Sequence, residues 1–135
     1  MAVSTKRKLD LVVIDASAVL ARLLPDEETP TEVKKVFQLY QADKLNLTAP
    51  NLLPYEVANA LRSLVQSNRI SAVLASSLLK NFLRLRISYV EADFTQALPL
   101  AITNKISVYD ASYLFLAREL DIELLTLDKK LKSLI

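Results

Sequence analysis

The sequence predicts an α/β domain, a three-layer α/β/α arrangement around a central, mainly parallel sheet of four to five strands. Short apolar runs alternate with longer segments of helical periodicity along the whole chain. The first run, residues 11–14, is apolar throughout, as expected of a strand covered on both faces. No repeat, linker or low-complexity tract divides the 135 residues, so residues 1–135 read as a single domain with its own core.

Residues 9–14 read as the first strand and lead into Asp15. Residues 17–24 read as a short helix stopped by Pro25. Over 31–42, Val33, Val36, Phe37 and Tyr40 recur at helical spacing with charges between them. A second short strand, 45–48, is ended by Pro50. Residues 54–66 read as a helix with Val57, Ala58, Leu61, Leu64 and Val65 on one side, and Pro54 suits its first position. Ser71 starts a further helix that reaches Leu83. Residues 87–90 suit a third strand, and 94–102 a helix despite Pro99, which has no N–H to give. Tyr109 or Asp110 opens a helix to Leu120, 122–126 is an apolar fourth strand, and 128–134 makes a last helical turn or two.

Composition closes off several function classes. Hydrophobic residues are 52% and charged residues 24%, which describes a compact fold and not a disordered chain. A net charge of +2 gives no chain-wide attraction for nucleic acid, so any such contact is local. With no His and no Cys, the usual nucleophile–base pairs, soft metal sites and disulfides are excluded. With no Gly, a P-loop or a dinucleotide fingerprint is excluded too, and helices must end on Asn, Asp, Lys or Pro. No apolar run approaches the roughly 20 residues that span a bilayer. Residues 1–8 are polar and basic, with no apolar signal core behind them. The expected location is the cytoplasm.

Four acids stand out: Asp15, Glu56, Asp110 and Asp128. Each lies at or near a switch into a helix, and for the three aspartates the preceding segment reads as a strand or strand end. In a parallel sheet such points share one edge and bring distant residues together. Taken singly, each has a plain structural explanation. Asp15, Asp110 and Asp128 stand where an N-cap belongs, and Glu56 falls in a first helical turn that favours negative charge. Together they form a set whose mutual repulsion a divalent cation relieves, and their hard oxygens suit Mg²⁺ or Mn²⁺ and phosphodiester chemistry. Ser17 and Thr126, two residues from Asp15 and Asp128, are placed to donate hydrogen bonds behind them or to make local turns. Asp10 and Asp121 belong to the opposite edge, Asp93 reads as a cap, and Asp26, Glu27 and Glu28 read as solvated loop charges.

The run Val12-Val13-Ile14-Asp15-Ala16-Ser17-Ala18 resembles the opening motif of PIN-domain nucleases. Leu53-Pro54-Tyr55-Glu56-Val57-Ala58-Asn59-Ala60-Leu61 resembles their second motif. Tyr109-Asp110-Ala111-Ser112-Tyr113-Leu114 and Leu125-Thr126-Leu127-Asp128-Lys129-Lys130-Leu131 resemble the third and fourth. The motifs occur in order and span nearly the whole chain, and the size is similar to VapC-type toxins of prokaryotic toxin–antitoxin pairs. The resemblance implies a PIN-like fold, metal and catalytic roles for Asp15, Glu56, Asp110 and Asp128, bound Mg²⁺ or Mn²⁺, and an RNA substrate. It also implies a cognate antitoxin whose extended tail enters the site, and a homodimer. Two departures are the missing glycines and the absence of a further strand after the last helix, which leaves the sheet one strand short of the family's usual form.

Three other readings stay open. A receiver-type phosphoacceptor needs an acidic pair after the first strand, where Ala16 and Ser17 follow Asp15. A haloacid-type phosphatase needs a second Asp where Ser17 stands. A catalytically silent, partner-regulated adaptor needs only the fold. Arg22, Arg62, Arg69, Lys129 and Lys130 are the candidate RNA contacts; of the apolar residues Phe37, Tyr40, Tyr55, Leu78, Leu79 and Phe82, most are expected to pack on the sheet and on each other, with some contiguous apolar surface left to mark an interface.

Overall fold

The computed structural model describes residues 10–25 and 28–135. The elements follow the expected order. They are β1 (Asp10–Ile14), α1 (Ala16–Leu23), α2 (Thr31–Gln41), β2 (Leu45–Pro50), α3 (Leu53–Gln66), α4 (Ala72–Leu83), β3 (Ile87–Val90), α5 (Phe94–Asn104), α6 (Val108–Leu120), β4 (Glu123–Leu125) and α7 (Lys129–Lys132). Residues 1–8, Leu9 of the first predicted strand, and the loop acids Asp26 and Glu27 lie outside the described residues.

The four strands pair in the order β3-β2-β1-β4, all parallel. Helices α1 to α4 pack against one another, and α6 lies against β1, β2 and β4 with α5 packed on it. That separation into two helical groups makes the three layers. Val12, Val13 and Ile14 are buried in β1, as a strand covered on both faces requires. One large cluster spans the core, from Val13 and Leu47 in the sheet to Val33, Phe82 and Leu114 in the helices. Among the described residues no helix is long and apolar enough to cross a membrane.

Local chemistry explains the element ends. The side chains of Asp15, Ser71, Asp93, Ser107 and Asp128 each accept a backbone N–H in the first turn that follows them. Without glycine, the left-handed positions after helices fall to Asp43, Asn68, Lys105 and Asp121, three of them short polar residues that tolerate positive φ. Helix α5 runs through the exposed Pro99 as far as Asn104, two residues beyond expectation, and stops at left-handed Lys105. Strand β2 continues to Pro50, which pairs with Val90.

Two expectations need correction. Helix α6 begins at Val108 under a Ser107 cap, so Asp110 receives that cap through its own N–H and sits inside the first turn. The segment before α6 is a turn from α5 and not a strand end. The apolar surplus is mostly absorbed, as expected. Because α1 to α4 pack on each other as well as on the sheet, Phe37, Tyr40, Leu78 and Phe82 are buried and Leu79 is half-buried, leaving Tyr55 exposed.

Candidate active site

Strand order places the site. The crossover from β1 leads to β2 on one side, while β4 pairs with β1 on the other, so the ends of β1 and β4 flank a topological switch point. A crevice opens there at the carboxyl edge of such sheets. Asp15 directly follows β1, and Thr126 and Asp128 follow β4. Glu56 is in the first turn of α3, which follows β2, and Asp110 is in the first turn of α6.

Asp15 is the deepest of the acids, only 5% exposed. Ser17 Oγ donates to its Oδ1 at 2.6 Å, the Ala18 N–H donates to the same oxygen at 3.1 Å, and Thr126 Oγ1 donates to Oδ2. The two hydroxyls are themselves held: Ser17 Oγ accepts the Leu127 N–H at 2.9 Å, and Thr126 Oγ1 accepts the Asp128 N–H at 3.1 Å. Ser17 and Thr126 therefore tie the segment after β4 to Asp15; Thr126, two residues before Asp128, donates across the sheet to Asp15 and not to its neighbour. Burial pushes the Asp15 carboxyl above the usual range, and these hydrogen bonds pull against that rise.

Glu56 and Asp110 are half-buried, and Asp128 is exposed. Burial raises the Glu56 carboxyl, with the charges of Asp110 and Asp15 adding to the rise against a hydrogen bond from Tyr113. Burial also raises Asp110, followed by the charges of Asp128 and Asp15. Each acid of the set is thus within electrostatic reach of at least one other. The ion pairs Arg86 with Asp43 and Lys132 with Glu32 involve none of these four acids.

The acids are linked by field and not by contact. Among the described residues, no three acidic side chains stand close enough together to form a ready ligand shell for a metal ion. The donor chemistry nonetheless fits a hard divalent cation: the donors are all oxygen, and Glu56 and Asp110, raised first by burial, are raised further by neighbouring carboxylate charge that a cation offsets. Two of the acids keep their plain structural roles as well, since Asp15 caps α1 and Asp128 Oδ1 caps α7 by accepting the Leu131 N–H at 2.8 Å.

The rejected acids stay apart. Asp10 starts β1, Asp121 ends α6, and Asp93 is a cap whose Oδ1 accepts from Gln96 N and Thr95 Oγ1. An apolar cavity between β3 and α6, lined by Pro50, Val90, Phe115 and Leu116, includes none of the four acids.

Sequence reasoning missed Tyr113. Its hydroxyl donates to Glu56 Oε1 at 2.7 Å although the side chain is fully buried. The available signal was its position three residues after Asp110, on the same helix face, together with the need of a buried tyrosine for a polar partner.

A profile of the PIN domain matches residues 12–134. Ribonuclease VapC3 of Pyrobaculum aerophilum is 36% identical over 126 residues, covering 89% of this chain and 91% of that one. Ribonuclease VapC9 of Mycobacterium tuberculosis is 34% identical over 123 residues, covering 91% and 90%. Among solved structures, PAE2754 from Pyrobaculum aerophilum superposes with a TM-score of 0.71 at 25% identity, over 94% of this chain and 87% of that one. The sarcin–ricin loop cleaving toxin VapC20 of Mycobacterium tuberculosis shares the fold, with a TM-score of 0.63 at 17% identity over 90% and 93%.

Proposed function

This chain belongs to the PIN-domain family, and on that premise we propose that it is a metal-dependent endoribonuclease acting as the toxin of a toxin–antitoxin pair. The observation that carries the reading is the set of four mutually repelling acids at the switch point, in a chain similar to VapC ribonucleases along most of its length.

Asp15, Glu56, Asp110 and Asp128 are the residues that would hold Mg²⁺ or Mn²⁺. A bound divalent ion supplies Lewis acidity, which lowers the pKa of water and offsets charge growing on the phosphate. Ser17 and Thr126 fix the Asp15 carboxylate from behind, so its orientation does not depend on the ion. With no His in the chain, the proton released during hydrolysis has carboxylates as its nearest acceptors. Lys129 and Lys130 follow Asp128 directly and are the basic residues nearest to it in sequence, which favours them as phosphate contacts. Arg22 is a poorer candidate, because its guanidinium stacks 5.6 Å from the Phe37 ring at the far end of α1 from Asp15.

The partners in this reading are RNA, a second copy of the chain and a cognate antitoxin, all in the cytoplasm. Phe94, Leu98 and Ile102 recur every fourth residue along α5 and are exposed, Ile102 by 70%, which gives an apolar stripe of the kind that interfaces cover. An Arg or Lys on the antitoxin would compete with the metal for Asp15, Glu56 and Asp110. The test is cleavage of a labelled RNA by the purified protein, by Glu56→Gln, and by the protein mixed with the product of the neighbouring gene. Cleavage by the first alone is expected. Equal cleavage by Glu56→Gln would overturn the assignment of the site, and no cleavage of any RNA by the wild type would favour an adaptor.

A further inference from the structure

Tyr113 is one of the largest fully buried side chains, yet it ends in a polar atom among acids. It stands on α6 one turn after Asp110, and its hydroxyl crosses to α3 to donate to Glu56 Oε1 at 2.7 Å. Packing alone does not call for that oxygen, since Phe fills the same space. A buried hydroxyl is tolerated only with a partner, and here the partner is one of the four acids.

We infer that Tyr113 is a positioning residue for Glu56, its hydroxyl tying back Oε1 so that Oε2 is the oxygen left uncommitted. A phenol is protonated throughout the neutral range at its ordinary value, so the hydroxyl serves as a standing donor. Glu56 sits in the first turn of α3 with a long side chain and several rotamers; a fixed donor removes most of them before any ion arrives. The inference rests on the reading of Glu56 as a cation ligand and adds to it what sets that ligand's geometry.

The test counts free Mn²⁺ by electron paramagnetic resonance, in the absence of RNA, for the wild type, Tyr113→Phe and Ser112→Ala. Ser112 is the control. It is the adjacent buried residue on α6, its Oγ donates to the Val108 carbonyl at 2.8 Å, and it touches none of the acids. Tyr113→Phe should bind Mn²⁺ about tenfold more weakly, as loss of a hydrogen bond behind a ligand does, while Ser112→Ala binds like the wild type. Unchanged affinity in Tyr113→Phe overturns the inference, and so does an equal loss in Ser112→Ala, which would mark a general loosening of α6. A wild type that binds no Mn²⁺ fails the cation reading itself and removes this inference with it, a result distinct from the other two.

Discussion

The hydroxyl of Thr126 donates to Asp15 Oδ2 across 111 positions of the sequence, joining the end of β4 to the end of β1 beneath the acidic cluster. Asp15 is buried, and each of its oxygens has a donor. Thr126→Val keeps the shape and leaves Oδ2 without its partner, so it should lower unfolding stability by about 1–3 kcal/mol. Urea denaturation measures this, and a midpoint equal to that of the wild type would show that the bond contributes nothing.

The pH dependence of stability follows from the raised carboxyls of Asp15, Glu56 and Asp110. A carboxyl whose folded-state value lies above its unfolded value takes up a proton on folding within that window. Its ionised form is therefore the destabilising one, and stability falls as pH rises through the raised values. For the metal-free protein, melting temperature should rise as pH is lowered from about 7 towards about 5, just above the ordinary Asp and Glu values. Asp110→Asn should melt higher at neutral pH and flatten the profile. Calorimetry that found a steady fall in melting temperature over the same acidification would contradict this.

The RNA footprint should be small. With a net charge of +2 and few basic residues beside the cluster, the slope of log affinity against log salt should be about −2, corresponding to about three phosphates on a single strand. Removing Lys129 and Lys130 together should reduce that slope by about one to two units. A wild-type slope steeper than about −5 would reveal an extended basic surface.

Assembly is expected to depend on α5. Light scattering should give twice the 15.1 kDa chain mass for the wild type, and the single-chain mass after Leu98→Glu with Ile102→Glu. Both residues are exposed, so the double variant should still fold. A dimer that survives both substitutions would place the interface elsewhere.

Much of the fold was legible because its cues are local. The apolar run before Asp15, the Ser71 cap and the periodicity of α3 each report on a few neighbouring residues. The limits of α6 were harder to read, because Ser107 and Asp110 are both good caps and only the backbone distinguishes them. The packing of most helical apolar side chains, Phe37 and Phe82 among them, on the sheet and on each other was legible in outline, while the exposed stripe on α5 was not, Pro99 interrupting the pattern within the same helix. Asp15, Glu56, Asp110 and Asp128 could be nominated from their places at or near switches into helices, although Asp110 stands inside the first turn of α6 and not at its cap. Tyr113 could be placed beside Asp110 by its spacing on one helix face, but its bond to Glu56 spans 57 positions, which no local pattern encodes.

The central claim is that these four acids make a cation-dependent RNA-cleaving site. Single-turnover cleavage of a labelled RNA by chelator-treated protein, before and after adding back Mn²⁺, tests it most directly. The account predicts no cleavage without the ion, recovery on its return, and for Asp15→Asn a rate lower by about 100-fold or more at the same Mn²⁺, since losing a ligand exceeds the effect of losing a group behind one. Full cleavage in the presence of chelator, or an Asp15→Asn variant as fast as the wild type, would contradict it.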